Sequence, residues 1–254
     1  MVATKSPLGV QVIARAAEVL RALEGGEQGL SLGQLSKQLD LPKSTVQRIV
    51  AALEREKFVM SATPQPGVRL GPALVRIARS VSYKLTEIAH PTLAALAQRI
   101  GETIDLAVLD GAKAVFVDHI EDNQHNLRFV SGIGVSIPLH CSANGKAILA
   151  SMNKDELQQL KKVLPLKRFT SATICSWPQL EKELDHIRKA GFSTDNEEHT
   201  QGVCAIGAAV VGPGGETAAL SIPIPAVRFK EKIDEMRSAL LDCRNELSEK
   251  FSHC

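Results

Sequence analysis

The sequence predicts an α+β fold of two domains, a small helical one followed by a larger one in which helices and antiparallel strands are mixed. Three observations support this prediction. Apolar residues recur at helical spacing along the first part of the chain, and turn sequences such as Asp110-Gly111 separate strand-like runs further on. The length of 254 residues suits two domains, since a domain commonly has ~100 to 200 residues.

Charge is divided unevenly between the two parts. Residues 1–80 contain 11 Lys and Arg against 6 Asp and Glu, a net charge of +5. Residues 81–254 contain 19 against 22, a net charge of −3, and the sum is the formal +2 of the whole chain. A basic N-terminal part favours contact with nucleic acid, and the slightly acidic remainder indicates a different role.

The first domain begins with a short leader and two predicted helices. Residues 1–9 lack the apolar run of a secretory signal and are expected to form a flexible leader. The first helix has an apolar stripe formed by Ile13, Ala16, Ala17, Leu20 and Leu23. The second helix opens at Ser31, and Gln34 at the following N3 position predicts a capping box.

A third helix begins at or near Pro42, whose fixed φ suits a first helical turn. Its apolar side is formed by Val46, Ile49, Val50 and Leu53. The opposite side presents polar residues within the first two turns, namely Lys43, Ser44, Thr45, Gln47 and Arg48. Hydroxyls and cations suit phosphate oxygens, and Gln and Arg bond bidentately to adenine and guanine edges. This face is a candidate DNA contact, with an ordinary solvated helix face as the alternative.

A hairpin is predicted directly after the third helix. Strand-like residues 58–61 and 68–70 flank the turn sequence Thr63-Pro64-Gln65-Pro66-Gly67. Arg69 on the second strand is expected to reach a DNA phosphate. Residues 10–71 are therefore predicted to form a winged helix-turn-helix domain that binds double-stranded DNA.

Residues 72–82 are predicted to form a helix that links the two domains. Its apolar face is formed by Leu74, Ile77 and Ala78, and Arg76 and Arg79 lie on another face. The alternative is a helix that packs only against its own domain.

Residues 83–254 predict an α+β domain with an antiparallel sheet. Strands are predicted at 103–109, Lys113–Ile120, 127–130, Val203–Val211 and 216–224, and a short strand is predicted just before Asp195. Helices are predicted to start at Pro91 and to span Ala143–Ser151, 155–164, Trp177–Ala190 and about 229–251. Turn sequences between successive strands favour antiparallel pairing.

The first domain contains LSLGQLSKQLDLPKSTVQRIVAALEREKFV, which resembles the DNA-binding domain of the IclR family of bacterial transcriptional regulators. Four further segments resemble the second domain of that family in the same order: PLHCSANGKAILA at 138–150, RFTSATI at 168–174, IRKAGF at 187–192 and DNEEHTQGV at 195–203. The resemblance covers nearly the whole chain. It implies a linker helix that helps dimerisation and a GAF-like domain that binds an effector.

The segment 141–146 leads from an extended stretch into a helix, so its backbone N–H groups offer a site for a carboxylate. Ser142 alone is equally explained as an N-cap. The resemblance implies that this loop and two strand regions hold the effector. The candidate contacts are Ser142, Ala143, Asn144, Asp195, Ala205 and Ser221, and Glu197, Glu198 and His199 are expected to form a solvated or structural cluster.

The chain departs from the family pattern at two positions near this site. Some members have Cys where this chain has Ala205, and here the thiol is one residue earlier, at Cys204, which reverses its face on a strand. Pro223 stands where a second Ser often occurs. Both changes predict a less polar pocket, and the expected effector is a small organic acid with an apolar part.

Neither a catalytic residue nor a cofactor or metal site is predicted. Asn144-Gly145-Lys146-Ala147 is not a P-loop, because His140 replaces the first Gly and Ala147 the Ser or Thr. His140 and Cys141 are neighbours on an extended segment and point to opposite faces. The scattered residues His119, His140, Cys141, His199 and Cys204 lack metal-ligand spacing.

The sequence thus predicts a cytoplasmic transcriptional regulator, such as a repressor, with no membrane span and with reduced thiols. It is expected to bind a pseudo-palindromic operator as a homodimer or homotetramer and to respond to the organic acid. One alternative is a metabolite-handling enzyme with an appended helix-turn-helix. Another is a protein-interaction module that uses the same fold without DNA.

Overall fold

The computed structural model describes residues 11–24, 29–62, 67–78, 84–121 and 132–253. The chain divides into two compact units, Met1–Ser82 and Tyr83–Cys254, which are described separately. The expected leader, the turn 63–66, the end of the expected linker helix and the expected strand 127–130 lie outside the described residues.

In the first unit, the described residues form four helices and a two-stranded sheet: α1 (Gln11–Ala22), α2 (Leu32–Leu39), α3 (Lys43–Arg55), β1 (Val59–Ala62), β2 (Gly67–Leu70) and α4 (Pro72–Ala78). The capping box that opens α2 is present, since the Ser31 N–H donates to Gln34 Oε1 at 2.8 Å and the Gln34 N–H to Ser31 Oγ at 3.2 Å. The predicted apolar side of α3 is buried in the core of this unit.

The predicted stripe of α1 is partly wrong. Ile13 is 67% exposed, whereas Val19, which the stripe omitted, is fully buried beside Leu23. Ala16 and Leu20 pack against the same core. The buried face of α1 is therefore centred on Val19, and Ile13 lies at its margin in the first turn of the helix.

The wing has a third short segment that the sequence analysis missed. Leu30 pairs with Val68, with the Leu30 N–H donating to the Val68 carbonyl at 2.9 Å and the Val68 N–H to the Leu30 carbonyl at 2.8 Å. Gly29 makes this approach possible, because its φ is +72° and a Cβ there would lie 2.7 Å from the Val68 carbonyl oxygen. The pairing ties the start of α2 to the hairpin.

In the second unit, the described residues form α5 (Lys84–Ile100), β3 (Ile104–Asp110), β4 (Lys113–Ile120), β5 (Ser136–Pro138), α6 (Ala143–Ser151), α7 (Lys154–Lys161), α8 (Trp177–Ala190), β6 (Ser193–Asn196), β7 (Val203–Val211), β8 (Thr217–Pro225) and α9 (Ala226–Ser252). The six described strands form one antiparallel sheet in the order β5-β4-β3-β8-β7-β6. The predicted α+β class with an antiparallel sheet is confirmed.

The two faces of this sheet differ in the size of their side chains. Large apolar residues such as Leu106 and Ile206 pack with α5 and α9 on one face. Small residues such as Ala219 and Gly207 lie on the other, where α6 packs with α8 beside it. A Cβ on Gly207 would come within 2.9 Å of the carbonyl carbon of Ala143, so the small residues let the start of α6 approach the sheet closely.

The prediction that a helix starts at Pro91 is wrong, because α5 begins at Lys84 and contains Pro91 in its interior. Leu85 and Ala89 precede the proline and are fully buried in the core. Proline has no backbone N–H, so one hydrogen bond is missing inside the helix. The apolar contacts of the earlier turns compensate for that loss. The short strand β5 was also outside the predicted elements, and the short strand predicted to end before Asp195 is β6, which contains Asp195.

Candidate functional site

The exposed side of α3 presents most of the polar residues predicted to contact DNA. Lys43, Ser44, Gln47 and Arg48 are exposed. Thr45 is half-buried and, like Arg48, lines the groove next to α1. The structure therefore places Thr45 at the margin of this surface rather than at its centre.

The wing lies beside the other edge of the same surface. Lys43 and Gln47 line the groove between α3 and the hairpin, and Ser61 Oγ in β1 donates to Glu54 Oε1 in α3 at 2.8 Å. Arg69 lies in β2 opposite Met60 and is half-buried. Its Nε is buried and has no hydrogen-bond partner among the described residues. The hairpin is thus fixed to α3 with Arg69 on its second strand.

A small cavity lies in the second unit between the start of α6 and the small-residue face of the sheet. All the residues predicted as effector contacts line it, namely Ser142, Ala143, Asn144, Asp195, Ala205 and Ser221. Its volume is about 40 Å³, which is room for very few water molecules. The structure therefore brings together residues that are widely separated in the sequence.

The cavity also has lining residues that the sequence analysis missed. Asp105 lies in β3 directly opposite Ser221 of β8, and it is an acidic residue between apolar residues of that strand. That unusual position was a signal in the sequence. His199 and Thr200 line the cavity from the turn after β6, although His199 was expected in a solvated or structural cluster.

The side chains at the start of α6 hold the local fold. Ser142 Oγ accepts from the Gly145 N–H at 3.2 Å and donates to the Pro138 carbonyl at 2.6 Å. Asn144 Nδ2 donates to the Ala219 carbonyl of β8 at 3.0 Å. Ser142 is therefore the N-cap of α6, and what this loop offers a ligand is the backbone N–H groups of its first turn.

A buried ion pair lies beneath this loop. Lys146 of α6 is fully buried and pairs with Glu198 and, at 3.3 Å, with Glu183. The backbone carbonyl of Glu198 also accepts hydrogen bonds from Thr173 Oγ1 at 2.6 Å and Thr170 Oγ1 at 3.2 Å. Burial raises the pKa of Glu198, and the charge of Lys146 opposes that shift. Glu198 is thus a buried structural residue.

Asp195 is a buried carboxyl group in the wall of the cavity. Its Oδ1 accepts a hydrogen bond from the backbone N–H of Glu198 at 2.7 Å. Burial raises its pKa to about 7, against the lowering effect of that hydrogen bond and of Lys146. The group therefore changes charge near neutral pH, which is common in functional sites.

Two further aromatic rings lie close to each other and to His199, which lines the cavity. The ring of Phe169 lies 5.2 Å from that of His199 and 6.1 Å from that of His140, centroid to centroid. Burial lowers the pKa of both histidines.

The geometry around Cys141 does not suit a thiol nucleophile. Burial raises the pKa of Cys141 to about 12, so the reactive thiolate is strongly disfavoured. His140 Nε2 lies 2.9 Å from the Lys167 carbonyl and donates to it.

Among the described residues, no three His, Cys, Asp or Glu side chains converge on a possible metal position. Within the part of the chain that the structure describes, no helix is both long enough and apolar enough to cross a membrane.

Comparison with known protein families identifies the family to which the two domains belong. Residues 78–249 match the model of the bacterial transcriptional regulator IclR C-terminal domain, and residues 12–61 match the IclR helix-turn-helix domain. The chain belongs to the IclR family. It is therefore a transcriptional regulator with a DNA-binding helix-turn-helix and a C-terminal effector domain of the IclR type, and the predicted family is confirmed.

Individual IclR-family proteins are similar along most of the chain. The transcriptional regulator Rv1719 of Mycobacterium tuberculosis is 42% identical, over 92% of this chain and 89% of its own. The transcriptional repressor IclR of Escherichia coli is 30% identical, over 97% and 92%. A solved IclR homologue from Microbacterium hydrocarbonoxydans, in complex with 4-hydroxybenzoate, superimposes with a TM-score of 0.80 at 20% identity, over 96% and 100%.

Proposed function

We propose that this IclR-family regulator binds a pseudo-palindromic operator as a homo-oligomer and changes its DNA affinity when a small organic acid enters the α6 cavity. The observation that supports this most is the convergence of the predicted effector contacts on one cavity at the start of α6. The same chain presents an exposed polar face on α3, as a DNA-reading helix requires.

On the DNA side, the proposed contacts are Lys43, Ser44, Thr45, Gln47 and Arg48 of α3 and Arg69 of the wing. We assign base reading to Gln47 and Arg48, because both are exposed and form bidentate hydrogen bonds with purines. Lys43, Ser44 and Arg69 suit phosphate contacts. Thr45, half-buried next to α1, is the weakest contact of the set.

On the effector side, the backbone N–H groups at the start of α6 bind the carboxylate of the acid. Ala205 and Pro223 form the apolar wall, and Ser221 and Asp195 supply the polar contacts. The cavity of about 40 Å³ is smaller than the ~300 Å³ of a typical ligand pocket. Binding therefore separates α6 from the sheet, and this displacement is the switch that alters DNA affinity. The homologue in complex with 4-hydroxybenzoate supports a carboxylic acid as effector.

The test measures operator binding by fluorescence anisotropy, with and without a panel of small carboxylic acids. Arg48→Ala should weaken DNA binding ~5- to 150-fold, since a bidentate base contact contributes ~1 to 3 kcal/mol. Ala205→Val fills part of the cavity and should abolish the response to acids while DNA binding is unchanged.

Matched controls lie on the same elements. Arg55→Ala removes a charge from the last turn of α3, and Ala209→Val enlarges a residue of β7 outside the cavity. Both controls should behave as the wild type. Unchanged DNA affinity in Arg48→Ala would reject the α3 interface, and an intact acid response in Ala205→Val would reject the cavity.

A further inference from the structure

Lys146 lies between two carboxylates that belong to different layers of the second unit. It is fully buried and lies one turn after the start of α6. Its Nζ pairs with Glu198, in the turn between β6 and β7, and at 3.3 Å with Glu183 of α8. The strands β6 and β7 belong to the sheet, whereas α8 packs beside α6. The ammonium group therefore joins α6 to the sheet side and to the neighbouring helix at the same time.

The contacts between the start of α6 and the sheet side are polar. Ser193 Oγ of β6 donates to the Ala143 carbonyl at 2.6 Å, and Asn144 donates to a carbonyl of β8 at 3.0 Å. The pair of Lys146 with Glu198 is a charged contact of the same group. Hydrogen bonds depend steeply on distance and angle. Under the proposed function α6 separates from the sheet, so these bonds weaken or break when an acid enters the cavity.

The contacts between α6 and α8 are mainly apolar. Ile148 of α6 and Leu184 of α8 are fully buried and belong to the same core cluster. Apolar contacts are non-directional, so a small displacement of the start of α6 weakens them less than it weakens the hydrogen bonds to the sheet. We therefore expect α8 to stay packed on α6, with Glu183 still within reach of Lys146.

Glu198 is held in place independently of Lys146. Its backbone N–H donates to Asp195 Oδ1 of β6 at 2.7 Å, and its carbonyl accepts from Thr173 Oγ1 at 2.6 Å. Its Oε2 is buried and has no hydrogen-bond partner among the described residues. A buried carboxylate is costly unless it is paired. Loss of the contact with Lys146 therefore has a large effect on Glu198, which does not follow α6.

We propose that Lys146 is the switch residue of the effector site, and that it exchanges two acceptors for one. In the arrangement of this structure, here called closed, it binds Glu198 and Glu183. In the open arrangement, with an acid bound, it keeps Glu183 alone. Glu198 thus stabilises the closed arrangement and Glu183 the open one, and the effector shifts the population between them. This inference rests on the proposed function of the cavity.

The test measures the affinity of full-length variants for propionate, 3-hydroxypropionate, benzoate and 4-hydroxybenzoate by calorimetry. Glu183→Gln removes the charged acceptor that Lys146 keeps in the open arrangement, so it should weaken acid binding ~5-fold or more, the lower end of typical allosteric couplings. Glu198→Gln removes the charged acceptor that favours the closed arrangement, so it should strengthen acid binding by a similar factor. Ion pairs with a purely structural role would contribute equally to both arrangements, and neither substitution would change the affinity.

Glu181→Gln is the matched control. Glu181 is also a glutamate of α8 paired with a lysine, but its partner, at 2.8 Å, is Lys161 of α7. This variant should bind the acids as the wild type does. Glu183 is 28% exposed at its side chain, so Glu183→Gln is expected to fold, and its result is decisive even if the buried Glu198→Gln does not fold.

Operator binding without acid gives a second measurement, by fluorescence anisotropy. Glu198→Gln should shift the operator affinity towards the value that the wild type shows with saturating acid, and Glu183→Gln should leave it unchanged. Acid affinity of Glu183→Gln equal to or above that of the wild type overturns the inference, and so does weaker acid binding by a folded Glu198→Gln. A wild type that binds none of the four acids overturns the proposed function itself, and the inference with it.

Discussion

At the scale of single residues, Asp195 shows a conflict between stability and binding. Its folded-state pKa of about 7 lies above the ordinary value of 3.8, because burial disfavours the carboxylate. Between these two values the folded chain holds a proton that the unfolded chain has lost. Stability therefore falls as the pH rises from about 4 to about 7. A residue that destabilises the fold at neutral pH is typical of a binding site.

Asp195→Asn removes this titration and keeps an acceptor for the Glu198 N–H. The free energy of unfolding of the variant should equal that of the wild type near pH 4. At pH 8 it should be larger than that of the wild type by up to about 4 kcal/mol. Urea denaturation at a series of pH values measures this difference. Asp234→Asn, on an exposed side chain of α9, is the control and should leave the pH profile unchanged. Parallel profiles for Asp195→Asn and the wild type would contradict the assigned cause.

At the scale of elements, the cavity depends on how closely α6 approaches β7. Gly207 permits that approach, since a Cβ there would lie 2.9 Å from the Ala143 carbonyl carbon and 3.1 Å from its oxygen. Both contacts are with backbone atoms, which do not move aside as a flexible side chain does. Gly207→Ala should therefore displace the start of α6 and destabilise the protein by about 1 to 3 kcal/mol, as measured by urea denaturation.

Gly132→Ala is the control for this prediction. The nearest atom to a Cβ at Gly132 is Val135 Cγ2 at 3.5 Å, an ordinary contact with a side chain. This variant should change the free energy of unfolding by less than about 1 kcal/mol. Equal effects of the two substitutions would show that loss of glycine, rather than the contact with α6, is responsible.

Elements and site were not equally predictable from the sequence. The buried side of α3 was predicted correctly, because its apolar residues recur at helical spacing within one segment. The strand β5 was missed, since it has only three residues and depends on pairing with β4, which is distant in the sequence. Asp105 was missed for the same reason: its place in the cavity follows from the register with Ser221, a long-range pairing that local patterns do not specify.

At the scale of the whole molecule, the charge of the first unit bears on the proposed binding as a homo-oligomer. Residues 1–80 have a net charge of only +5, so a single domain neutralises few phosphates and binds weakly at physiological salt. When a homo-oligomer binds two half-sites, the second domain is at a high effective concentration once the first is bound. This raises the overall affinity for the operator. Operator symmetry should therefore matter more than the affinity of either half-site.

An operator with two half-sites should bind at least ~100-fold more tightly than one with a single half-site at about 0.15 M salt, because the second contact becomes intramolecular. Anisotropy titrations with both fragments measure this ratio. Inserting about 5 base pairs between the half-sites turns them to opposite faces of the duplex, since one helical turn spans ~10.5 base pairs. That insertion should reduce the affinity to the single-site level, whereas the insertion of a full turn should restore much of it. Equal affinity for the single-site and two-site fragments would show that each recognition helix acts alone, and the operator would then carry no requirement for symmetry.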